Sequence, residues 1–94
     1  MKLNLNFKLK NLAGEELAPE TAGQLFANAL AIGQSEKPMK MLTFAHSLYD
    51  NGEIEVDLDD LKLLEDFVSK HKTFTNIFKA ELLSAIEKSK IPNK

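Results

Sequence analysis

The sequence predicts an α+β domain: an N-terminal antiparallel β-hairpin, with a third short strand near residues 53–56, packed on about four α-helices. Three observations carry this. Met1, Leu3, Leu5, Phe7 and Leu9 alternate without a fault with Lys2, Asn4, Asn6 and Lys8, the two-residue period of a half-buried strand. After Glu20 the apolar residues recur mostly at steps of three and four, the spacing of amphipathic helices. Between two such helical stretches, Glu53-Ile54-Glu55-Val56 alternates once more. The chain is read as a single domain over 1–94, with the hairpin at 1–18 and the helical part at 21–90.

Each element has its local reason. The first strand runs to about Lys10. Asn11-Leu12-Ala13-Gly14 has a turn composition, with Asn first and Gly fourth. Glu15 to Leu17 form a short returning strand that Pro19 is expected to stop. Thr21 and Gln24 have the spacing of a capping box, so helix one starts there. It carries Ala22, Leu25, Phe26, Ala29 and Leu30 on one stripe and ends at Gly33. Pro38 suits the first turn of helix two, where its missing N–H costs no bond. That helix is expected to bury Met41, Leu42, Ala45, Leu48 and Tyr49 and to end at Asn51-Gly52. Asp57 caps helix three, with Asp60 three residues on and Val56 and Leu61 at the staple positions. Helix three draws its buried face from Leu58, Leu61, Leu64, Phe67 and Val68. Thr73 or Thr75 caps helix four, which carries Phe74, Ile77, Phe78, Leu82, Ala85 and Ile86, with Pro92 beyond it.

Composition narrows the function classes. The chain has 94 residues, is 44% apolar and 28% charged, and has no cysteine. Disulfide frameworks, thiolate zinc sites and cysteine nucleophiles are therefore excluded. No apolar run reaches the ~20 residues of a membrane span, so a cytoplasmic protein without a membrane partner is expected. All twelve cations are lysines. Arginine is the better residue for bidentate reading of guanine and phosphate, so its absence disfavours sequence-specific nucleic-acid readout but leaves loose phosphate binding open. Residues 50–66 hold eight acids against Lys62; residues 67–94 hold six lysines against Glu81 and Glu87.

No constellation of residues specifies catalysis, a cofactor or a metal. Asp50-Asn51-Gly52-Glu53-Ile54 resembles the middle of a calcium loop, but the first and last ligand positions would then be Ser47 and Leu58, where a carboxylate is required at each end. Glu53, Glu55, Asp57, Asp59 and Asp60 are accounted for by a strand face and helix capping. His46 has only Asp50 at ligand spacing, and His71 sits in a polar turn; both read as ordinary half-buried or surface histidines. The glycines fit neither phosphate-binding pattern.

Two surfaces are candidates for binding. Met39 and Phe44 lie off the expected core stripe of helix two. An exposed Phe44 beside Met39 would form a partner or dimer surface; the alternative is that helix two is central and buried on two sides. Lys2, Lys8 and Lys10 share the wet face of the first strand and read as a solvated face that discourages edge pairing, with phosphate contact the alternative. That face is expected to lack an interleaved aromatic, because Phe7 points to the core.

The ribbon turning at Asn11-Leu12-Ala13-Gly14-Glu15, the helix ending Leu48-Tyr49-Asp50-Asn51-Gly52, and the run Glu53-Ile54-Glu55-Val56-Asp57-Leu58-Asp59-Asp60-Leu61 form a layout similar to a group of small proteins encoded by tailed phages and prophages. The group tends to have Leu-Asp-Gly in the hairpin turn, where this chain has Leu12-Ala13-Gly14. The resemblance implies a phage or mobile-element setting and a non-enzymatic role, and carries over no functional residue. The expected function is a protein–protein interaction module, an accessory, adaptor or inhibitor protein, acting on an unidentified protein partner or as a homodimer. The alternative is a nucleic-acid accessory protein using its lysine patches.

Overall fold

The alternating N-terminus makes two strands rather than one. In the computed structural model, which describes residues 1–90, β1 (Lys2–Asn4) and β2 (Lys8–Lys10) are separated by a bend at residues 5–7. The Asn4 side chain and a tight backbone turn explain the break. The Asn4 side chain accepts from the Asn6 N–H at 2.8 Å, and the Phe7 N–H donates to the Leu5 carbonyl at 2.9 Å, local bonds that compete with a continuous ladder. β1 then pairs antiparallel with β4 (Glu53–Glu55), Leu3 opposite Ile54, while β2 pairs antiparallel with β3 (Glu16–Thr21). The segment at 53–56 therefore does join the ribbon, and two small two-stranded sheets replace a single hairpin with an added strand.

Pro19 does not end the returning strand as expected. The register of β3 on β2 slips between Lys8 opposite Thr21 and Lys10 opposite Glu16. Pro19 sits in that irregular stretch, where no ladder N–H is required of it. Asn11 holds the turn as expected: its side chain accepts from the N–H groups of Ala13 and Glu15 at 2.9 and 3.0 Å.

The helices are α1 (Ala22–Ile32), α2 (Pro38–Asn51), α3 (Leu58–Lys70) and α4 (Asn76–Ser89). Both expected capping boxes form, Thr21 with Gln24 and Asp57 with Asp60. Thr75, not Thr73, caps α4, accepting from the Phe78 N–H at 3.2 Å. Phe74 consequently precedes α4 instead of belonging to it. Its ring stacks on His71, with centroids 3.6 Å apart and planes 8° from parallel, and meets Phe78 edge-on at 4.6 Å. Pro92 lies outside the described residues.

One hydrophobic cluster joins every element but β3. Leu3, Leu5 and Leu9 from the ribbon meet Phe26 and Leu30 of α1, Leu48 of α2, Leu61, Leu64 and Val68 of α3, and Leu82 and Ile86 of α4. α1 packs along α2, and α4 lies against β1 and β2. Leu58, expected in the core, is exposed, because it opens α3 beside its cap. Gly52 ends α2 in the left-handed region, φ 76°, which glycine enters without a Cβ penalty. Its carbonyl accepts from the Leu5 N–H at 2.7 Å, so the end of α2 is seated on the bend of the ribbon.

Candidate interaction surfaces

The buried stripe of α2 is Met41, Phe44, Ala45 and Leu48, at steps of three, one and three. The expected partner pair of Met39 and Phe44 therefore separates. Phe44 is only 7% exposed and belongs to the core, whereas Met39 is 82% exposed. Leu42 and Tyr49, expected inside, are 45% and 50% exposed. The physical reason is a choice between two stripes. Residues 41, 44, 45 and 48 form one helical face; residues 39, 42, 46 and 49 form another with equally good spacing. α1 and β4, the elements packed most closely on α2, leave the first facing the core and Met39, Leu42, His46 and Tyr49 facing outward.

This outward stripe borders α1. A shallow groove of about 250 Å³ has Ala27, Ala31 and Ala45 among its lining, with Asn28, Leu42, His46 and Tyr49 beside them. Small side chains let another helix backbone approach closely. α1 contains no charged residue, in a chain that is 28% charged. Ile32 at its end is 86% exposed. An exposed helix face depleted of charge and bearing large apolar groups has the composition of an interface core. The charge-free run 21–35 carries this signal in the sequence.

A second concavity lies between the ribbon and α4. It encloses about 660 Å³ and is lined by Lys2, Asn4, Phe7, Lys8 and Lys10 from the ribbon and Glu81, Ser84, Ala85, Lys88 and Ser89 from α4. Residues 81, 84, 85 and 88 form a stripe at steps of three, one and three beside the buried stripe of Phe78, Leu82 and Ile86. The three lysines named from sequence are thus brought together, and Lys88 joins them across the groove. Phe7 packs against the core as expected, but it is only half-buried and also lines the groove wall, where an aromatic was expected to be missing. Lys2 and Lys8 are held by Glu53 at 3.4 Å and Glu16 at 3.7 Å, all at the surface.

The acidic segment does structural work. Asp60 is buried, accepts from the Asp57 N–H at 3.2 Å, and its Oδ1 is covered by the Lys40 ammonium of α2. Burial pushes the Asp60 carboxyl up; the Lys40 ammonium and the Asp57 bonds outweigh it and hold the carboxyl below its ordinary value. Ser47 and Tyr49 lie inside α2 and Gly52 is its cap, so the calcium-like run forms a helix end rather than a loop. His46 is exposed on α2 and His71 stacks on Phe74. Among the described residues no three of His, Asp or Glu converge at metal-binding distance, and no helix is long and apolar enough to cross a membrane. Compared with protein-family models, curated proteins and solved structures, the chain matches none of them.

Proposed function

We infer that the chain is a non-enzymatic protein-interaction module whose α1–α2 face pairs with a second copy of itself. The observation that carries this reading is the outward stripe of Met39, Leu42 and Tyr49 beside the charge-free α1. Ridge and groove occur on the same face: Leu42 and Tyr49 project next to a floor of Ala27, Ala31 and Ala45. A surface carrying both halves of a contact suits an isologous dimer, in which the same patch serves both copies. With no charge on α1, identical copies meet there without like-charge repulsion. The acidic start of α3 would oppose such pairing.

The expected strength is modest. α2 has fourteen residues, about 21 Å at 1.5 Å per residue. Two helices side by side at roughly 9 Å spacing present a face of about 400 Å² in projection. That is below the ~800 Å² per partner of a standard stable interface, so a dissociation constant between about 10 µM and 1 mM is expected. A non-enzymatic accessory, adaptor or inhibitor role in a phage or mobile-element setting is part of this proposal and rests on the resemblance in layout.

Sedimentation equilibrium over a concentration series tests it. The wild type is expected to move from monomer to dimer, and Leu42→Glu to stay monomeric with an unchanged thermal midpoint. A wild type that is monomeric up to about 1 mM would remove the dimer, since an interface of this size should be half-formed by then.

A further inference from the structure

We propose that the groove between the ribbon and α4 binds a short single-stranded nucleic acid, its phosphates on the lysines and a base against Phe7. This site shares no lining residue with the α1–α2 groove, so the two assignments stand or fall separately.

Phe7 packs against the core beside Leu5 and Leu9 but is only half-buried, and its remaining surface lines the groove wall beside Lys8. An aromatic surface flanked by lysines supplies the two attractions that hold a single strand, stacking on a base and neutralisation of the backbone. Lys10 and Lys88 add charge from the two sides of the groove.

The groove is also long enough. A second hollow of about 360 Å³ continues past Lys10 to Leu12 and Ile77 and shares Lys8, Lys10 and Glu81 with the first. From Ile77 to Ser89 the α4 wall rises about 18 Å at 1.5 Å per residue. At 3.4 Å per stacked nucleotide that is room for about five. Duplex is not favoured, because its bases are paired and cannot reach a side wall. Asn4 and Ser84 offer polar hydrogens without choosing among bases, so affinity without sequence preference is expected. Glu81 opposes binding and should set the strength low.

If three lysines each replace a counterion, the affinity for a single strand should fall about 100-fold over a tenfold rise in salt. The test is an NMR titration of the full chain at low salt with short oligothymidylate, with the same sequence as a duplex, and with inorganic triphosphate. Amide shifts are expected around Phe7, Lys10 and Lys88, strongest with the single strand. Lys10→Gln combined with Lys88→Gln should weaken binding at least tenfold, with an unchanged melting curve. Phe7→Leu, which keeps an apolar side chain, should erase the preference for oligothymidylate over triphosphate. No shift with any ligand overturns the site. Equal binding of triphosphate and oligothymidylate by the wild type overturns the role of Phe7 and with it the single-strand assignment. Tighter binding of the duplex does the same.

Discussion

Replacing Gly52 by alanine tests how α2 is seated on the ribbon. Gly52 holds φ at 76°, and a Cβ built there would lie 2.8 Å from the Asn6 Cβ and 3.1 Å from its Cγ. Two costs can be separated. The left-handed conformation costs an L-residue roughly 1–2 kcal/mol, partly offset by about 0.4–1 kcal/mol because alanine stiffens the unfolded chain. The contact with Asn6 is overpacking, typically 1–3 kcal/mol. Gly52→Ala should therefore cost about 2–3 kcal/mol in all, a fall of roughly 10–20 °C in Tm for a domain of this size. In an Asn6→Gly background the clashing Cβ and Cγ are gone, and the same change should cost only about 1 kcal/mol. Urea unfolding of the four proteins gives a coupling of about 1–2 kcal/mol. Equal costs in both backgrounds would show that Asn6 does not press on Gly52, and a stabilising Gly52→Ala would refute the left-handed cap.

Other consequences follow from the same packing. Phe44→Ala should lose about 3 kcal/mol or more, whereas Met39→Ala should change stability by less than about 0.5 kcal/mol; thermal melts distinguish them. Thr75→Ala should cost about 1 kcal/mol as a lost helix cap, and Thr73→Ala should leave α4 intact by circular dichroism. The Asp60 carboxyl is held below its unfolded value of about 3.9. Its contribution is therefore present above that pH and is lost as pH falls through the lower folded value. With Lys40→Met, burial is less opposed, so acid unfolding should begin at a higher pH than in the wild type; an unshifted acid transition would show that Lys40 does not hold Asp60.

The parts of the fold legible from sequence were those with local causes. Thr21-Gln24 and Asp57-Asp60 satisfy their own amides, so their spacing alone placed two helix starts, and Asn11 placed the turn. What sequence could not settle was phase. The alternation of Met1 to Leu9 is unbroken, yet the Asn4 side chain and the Phe7–Leu5 backbone bond bend the chain between β1 and β2, and Phe7 there packs on the core while also lining the groove. On α2 the stripes beginning at Met39 and at Met41 are equally periodic. Which one faces inward depends on where α1 and β4 lie. The result was Phe44 inside and Leu42 and Tyr49 outside. His71 and Phe74 stack across a non-helical connection, where no periodic signal exists. Lys88 meets Lys2, Lys8 and Lys10 only because α4 lies against β1 and β2.

The most direct test of the α1–α2 face is an isotope-filtered NOE experiment on a mixture of labelled and unlabelled chains. Cross-peaks between the Tyr49 ring of one copy and the Met39 or Leu42 methyl groups of the other are expected at concentrations where sedimentation gives a dimer. A dimer whose intermolecular contacts fall elsewhere, with Met39, Leu42 and Tyr49 still facing water, would contradict the assignment of that face.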